Sequence, residues 1–188
     1  SWTWGGGFLA DMGFSDFAGS TLVHSCGGWA ALMGAIIIGS RKGRFTDEGS
    51  KPMPGANLPL ATLGTFILWF GWFGFNGGSQ LAIHNVENAD AVGQIFLNTN
   101  AAAAGGVVAC LVVARIFFKK TNIIYALNGA IAGLVAITAA PDSPTGLEAT
   151  LIGALGGLLC YASLVFFEQL LKIDDPVGAI SAHGVTGI

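Results

Sequence analysis

Residues 16–24 read DFAGSTLVH, and residues 174–183 read DDPVGAISAH. The two stretches share one spacing: Asp, two residues, Gly, four residues, His. This gives Asp16, Gly19 and His24 in the first copy and Asp175, Gly178 and His183 in the second. A further glycine follows each histidine shortly after, Gly27 and Gly187. Three matched positions are a weak signal alone, but each copy opens a long apolar stretch poor in charge. Each copy therefore carries one imidazole into a membrane. Repeated halves that bring polar groups to the bilayer midplane are a mark of transporters. The expected fold is all-α, a polytopic bundle of transmembrane helices built on an inverted repeat.

The composition agrees. Of 188 residues, 53% are hydrophobic and only 10% charged, whereas a soluble domain carries about a quarter charged residues. The net charge of -3 decides little, because the positions of the charges matter more than their sum. Many of the 29 glycines lie inside apolar runs, where small residues let membrane helices approach closely. Cys26, Cys110 and Cys160 stand singly in apolar surroundings and read as small apolar packers. No metal-ligand cluster or nucleophile elbow appears, and GWFGFNGGS follows an apolar helix and lacks the Lys of a phosphate cradle. Neither an enzyme, a cofactor nor a nucleic-acid partner is implied. The first residue is not Met and the last residues break off inside an apolar segment, so the chain reads as part of a longer protein, one partial membrane domain over 1–188.

Residues 1–15 are aromatic and Gly-rich and read as a surface loop, with Trp4 near the membrane boundary. The first span is expected over 17–39, its 23 residues covering ~34 Å, enough for a ~30 Å hydrocarbon core. Asp16 stands where a carboxylate caps a helix N-terminus. Further spans are expected over 58–78, 95–118, 123–140 and 149–171, with a sixth beginning after Pro176. Between them lie a polar loop at 40–57, a short acidic loop with His84, Glu87 and Asp90, and the breaker PDSPTG at 141–146.

Charge sets the orientation. The polar segments 1–16, 79–94 and 140–148 alternate with 40–57, 119–122 and 172–175, and all eight Lys and Arg fall on or beside the second set. The positive-inside rule places that set in the cytoplasm. An odd number of spans separates the two Asp-Gly-His copies, so they enter from opposite faces. Eight residues past its Asp, each His lies ~12 Å into a ~30 Å core, which leaves the two roughly 6 Å apart in depth.

An ionisable residue at that depth is a pathway candidate, against the alternative of a buried imidazole bonded to a backbone carbonyl. Two neutral imidazoles can bond each other and still face a small polar solute. Trp4, Trp72, Phe73, Phe75 and Ser79 belong to the outer half, where aromatic faces and one hydroxyl suit a small ammonium-type cation. An interfacial aromatic belt is the competing reading. Asp16 and Asp175 are either caps or ion ligands. Glu168 and Lys172 form an i, i+4 pair.

DFAGSTLVH, GWFGFNGGS, NGAIAGLVAIT and DDPVGAISAHGVTGI resemble signature segments of the ammonium transporter (Amt) family, related to Rhesus proteins, and WGGG ahead of DFAG fits as well. The resemblance runs along the whole chain. It implies the stretch from the loop before the fifth helix into the tenth of an eleven-span fold. By that resemblance His24 and His183 are twin pore histidines, Trp4 and Ser79 belong to an external recruitment site, and Phe75 is one of two stacked gate phenylalanines. Asp16 and Asp175 support the site structurally. Gly178 stands where many relatives carry a second Asp. Ammonium or ammonia is the implied substrate, with methylammonium as an analogue, and a homotrimer in the cell membrane, with a cytosolic PII-type regulator, is the implied setting. An ammonium sensor of the same fold and a Rhesus-type gas channel are the rivals; WGGG and GWFGFN count against the second.

Overall fold

The protein, described here by a computed structural model, is defined over residues 2–188, the side chain at position 118 excepted. Its elements run α1 (Phe8–Asp11), a π-helical turn (Ser20–Ser25) leading into α2 (Cys26–Ile38), a minimal hairpin of β1 (Phe45–Thr46) and β2 (Gly49–Ser50), α3 (Leu58–Gly78), α4 (Val86–Phe118), α5 (Ile123–Ile137), α6 (Gly146–Val165) with a π-helical end (Phe166–Leu170), and a last π-helical turn (Ile180–Val185). Four stretches are long and apolar enough to cross a membrane: Ser20–Ile38, Leu58–Gly78, Val86–Phe117 and Gly146–Leu170.

Helix starts follow local chemistry. Asn57, Asn85 and Asn122 each accept a backbone N–H of the helix they open, from Leu60, Asn88 and Ile124. Thr145 and Glu148 close a reciprocal capping box on α6. Asn85 begins α4 well ahead of the expected residue 95. The acidic loop therefore ends early, and Glu87 and Asp90 lie in the first turns of a 33-residue helix. A carboxylate in that first turn complements the helix dipole, a reason the polar residues stay helical.

The expected span at 123–140 is shorter than the sequence implies. α5 has 15 residues, ~22 Å, and ends where Thr138 Oγ1 donates back to Leu134 O at 2.6 Å. It tolerates this because it runs inside the bundle: Gly129 to Val135 is buried throughout. Non-helical backbone at its end is satisfied by protein, with Phe17 N and Ala18 N donating to the Ala139 and Thr138 carbonyls.

Small residues bring α4, α5 and α6 together. A Cβ on Gly153 or Gly133 would run into the Ala102 carbonyl, and one on Gly105 into that of Thr150. Cys110 and Cys160 pack in this core as expected, whereas Cys26 is exposed.

Contacts across the loops pair segments that the charge pattern assigns to one side. Arg41 bonds Asp174, and Arg44 bonds Glu168. Elsewhere, Asn98 Nδ2 donates to the Pro141 and Pro144 carbonyls. Glu168 thus pairs with Arg44 and not with Lys172. Lys172 lies past the helical end at Leu170 with φ 53°, so the i, i+4 geometry that would join it to Glu168 does not exist.

Candidate functional site

Each Asp-Gly-His copy folds into the same device, and neither is the continuous helix that the apolar runs imply. Asp16 is 3% exposed and accepts four backbone N–H groups, Gly19 and Ser20 on Oδ1, Thr21 and Leu22 on Oδ2, at 2.9–3.0 Å. Gly19 turns the chain in the left-handed region at φ 111°, and the π-helical turn follows with His24 inside it. In the second copy Asp175 accepts Ala179 N on Oδ1 at 2.8 Å and Ile180 N on Oδ2 at 2.9 Å. Gly178 has φ 74°, and His183 lies in the π-helical turn after it. The shared spacing now has a physical content: a carboxylate to cap exposed N–H groups, a residue free to take positive φ, and a widened turn that carries the imidazole.

A carboxylate offers about four lone-pair sites, and the backbone occupies all four on Asp16. Asp16 thus has the hydrogen bonding of a cap. Burial pushes the Asp175 carboxyl up from its ordinary value, against the pull of the N–H groups of Ile180, Ala179 and Ser181.

The two copies meet. His24 Nδ1 and His183 Nδ1 are 3.3 Å apart, with ring centroids 5.2 Å apart at 35°. Backbone contacts hold the pair. Thr21 Oγ1 donates to Gly187 O at 2.8 Å, and Ser25 Oγ donates to Gly184 O at 2.9 Å. One Nδ1 must donate and the other accept, so at least one ring is neutral; with both neutral, one Nε2 accepts and the other donates. His24 Nε2 is buried and has no hydrogen-bond partner among the described residues.

Aromatic rings surround the pair. Phe75 lies 5.2 Å from His24 and 5.9 Å from Trp72. Trp72 is stacked on His24 at 4.8 Å and 20°, and lies 6.4 Å from His183 at 22°. Grouping Trp72 with the mouth aromatics misplaces it. It is 5% exposed and belongs to the wall beside the imidazoles. The signal for this was present: positions 72, 75 and 79 fall on one helical stripe, so Trp72 lies deeper on the face that carries Phe75 and Ser79.

Trp4 and Ser79 are not joined to each other by any hydrogen bond among the described residues. The Trp4 indole is 56% exposed and its Nε1 donates to Asp16 O at 2.6 Å. Ser79 Oγ donates to Phe75 O at 2.9 Å, on the same turn as the phenylalanine. Trp4 is thus fixed to the cap of the first copy and Ser79 to the stripe of α3. At the opposite end, a cavity of about 380 Å³ is lined by Arg41, Arg44, Asn128, Glu168, Asp175 and Gly178 among others. The Asn128 amide occupies the place of a Cβ on Gly178.

The family model described as Ammonium Transporter Family matches residues 1–188. A putative ammonium transporter of Synechocystis sp. is 43% identical over 100% of this chain and 42% of its own length. Ammonium transporter Amt1 of Haloferax mediterranei is 40% identical over 98% of this chain and 39% of its own. Among solved structures, a sensor Amt protein superposes with a TM-score of 0.93 at 46% identity, covering 99% of this chain and 47% of that one. Mep2 of Saccharomyces cerevisiae gives 0.83 at 34% identity, over 96% and 40%. The chain spans about two-fifths of the length of the curated relatives it matches.

Proposed function

Because this chain belongs to the ammonium transporter family, we propose that the whole protein moves ammonium across a membrane as ammonia, past the paired imidazoles of His24 and His183. The observation that carries this reading is the 3.3 Å contact between the two Nδ1 atoms, flanked by Trp72 and Phe75. Ammonium is recruited at an outer mouth to which Trp4 and Ser79 belong, with Phe75 as the gate beneath it. Moving a bare cation into an aromatic passage costs several kcal/mol, and desolvation disfavours the charged form of an amine. The proton passes to water at the outer mouth before passage. Ammonia then exchanges hydrogen bonds with the imidazole edges, one ring presenting an acceptor and the other a donor, and regains a proton from water on the far side. Potassium has no proton to give up and meets the same desolvation cost unrelieved. The basic loops at 40–57, 119–122 and 172–175 face the cytoplasm, and the protein works as a homotrimer in the cell membrane, open to a PII-type regulator on that side.

The test is uptake by the full-length protein with both histidines replaced by Ala. Loss of selective ammonium uptake is expected. Unchanged uptake with potassium still excluded would overturn the reading. A second reading, binding that signals, is favoured by the likeness to a sensor Amt protein; absence of flux in proteoliposomes together with ammonium binding would select it.

A further inference from the structure

We infer that Thr138 is a positioning residue for the conducting histidines, acting through Trp72; the inference rests on the ammonia-passage reading above. Thr138 follows α5 and is 0% exposed. Its one hydroxyl proton goes to Leu134 O at 2.6 Å, which turns a lone pair toward the Trp72 indole, whose Nε1 donates to it at 2.9 Å. The hydroxyl is therefore oriented by its own helix before it receives the indole.

The same residue holds the first histidine copy by its main chain. Ala18 N donates to Thr138 O at 3.1 Å, two residues ahead of the turn that carries His24. Thr138 thus grips both the approach to His24 and the ring against which His24 lies. Trp72 is nearly parallel to both imidazoles, at 20° to His24 and 22° to His183, so one indole forms a plate behind the pair. The torsion that sets an indole's plane is broad. Without an anchor on Nε1 the plate can tilt, and His24 tilts with it. The Nδ1 contact is already long for a hydrogen bond at 3.3 Å, so a small tilt breaks it. Functional geometry of this kind tolerates displacements of only ~0.5 Å.

Full-length protein in proteoliposomes tests this with Thr138→Val, Thr138→Ser, Trp72→Phe and the double variant Thr138→Val/Trp72→Phe. Valine keeps the shape of threonine and removes the acceptor. Phenylalanine keeps a ring and removes the donor. Each single variant should lower maximal ammonium flux about tenfold at a nearly unchanged half-saturating concentration, and Thr138→Ser should restore it. The double variant should lose no more than the more damaging single, because both singles remove the Trp72–Thr138 bond. Wild-type flux in Thr138→Val, or single losses that multiply in the double, would overturn the inference. Should Thr138→Val fail to assemble, Trp72→Phe decides alone: it leaves Thr138 bonded to Leu134 O, and wild-type flux there is equally fatal. Wild-type protein that does not conduct, or a double-histidine variant that conducts normally, removes the ammonia reading and this inference with it. A conducting wild type indifferent to Thr138→Val removes this inference alone.

Discussion

Gly28 and Gly184 lie backbone against backbone: the space that a Cβ on Gly28 would need is filled by the amide of Gly184, with the His183 carbonyl carbon beside it. These residues sit in the two segments that carry His24 and His183, so the approach that brings the imidazoles together needs position 28 to lack a side chain. Gly28→Ala should push the segments apart. A cost of about 1–3 kcal/mol is expected from overpacking, read as lowered thermal stability in detergent. Ammonium flux should fall further than stability alone accounts for, because the displacement acts on the histidine contact.

Asp16 holds four N–H groups that would otherwise face a buried space. Asp16→Ala should cost at least ~2 kcal/mol, since a charged cap with several partners exceeds an ordinary one. Asp16→Asn should do better than Ala yet fall short of the wild type, because its NH2 group turns donors toward donors. Thermal melts of the three proteins rank them; equal melting of Asp16→Ala and wild type would refute the capping role.

Gly178 turns the chain at φ 74°, and the Asn128 amide fills the place of its missing side chain. Gly178→Asp, which restores the carboxylate that many relatives are expected to carry, should therefore destabilise by about 1–2 kcal/mol through left-handed strain. Combining it with Asn128→Ala should recover the part due to the clash and leave the backbone strain. A double-mutant cycle on melting temperature measures the recovered part.

Hydrogen bonds from the Arg41 guanidinium hold the Asp174 carboxyl below its ordinary value, against the effect of burial. A carboxyl lowered in the folded protein contributes stability above its unfolded value, ~4, and loses it as pH falls through the folded value. The melting temperature should accordingly drop on acidification below about pH 4 by an amount that Asp174→Asn reduces. At neutral pH, Arg41→Ala should cost ~1–2 kcal/mol. Asp174 is left 3% exposed and short of a partner, but the 41% exposed Arg41 side chain is screened by solvent and Arg44 Nε remains 3.6 Å away.

The membrane class and the helical fold were legible in the sequence. Low charge and long apolar runs dictate membrane helices whatever the packing. The Asp-Gly-His spacing was legible as a repeat. The capping carboxylate was legible too, as an Asp ahead of an apolar run, but the left-handed turn and the widened helix were not, because a π-helical turn leaves no mark on an apolar run read for a period near 3.6. Trp72 was visible as an aromatic but placed too far outward, because counting aromatics at a helix end ignores which of them share a stripe. Thr138 closes the signature segment NGAIAGLVAIT, but nothing there singles it out: a single hydroxyl ending an apolar helix reads as an ordinary boundary.

By itself, then, the sequence determined that this protein crosses a membrane and that two like segments of it each carry one imidazole. Those follow from local properties, the free energy of placing each residue type in lipid and the bonds that a residue makes with near neighbours in the chain. Only the tertiary structure decided that His24 Nδ1 faces His183 Nδ1 across a sequence separation of 159, and that Trp72 rather than Trp4 lies flat against them. Such contacts depend on how far helices approach and how each is rotated about its axis, which here is set by glycines with no side chain between them and by turns that depart from α-helical period.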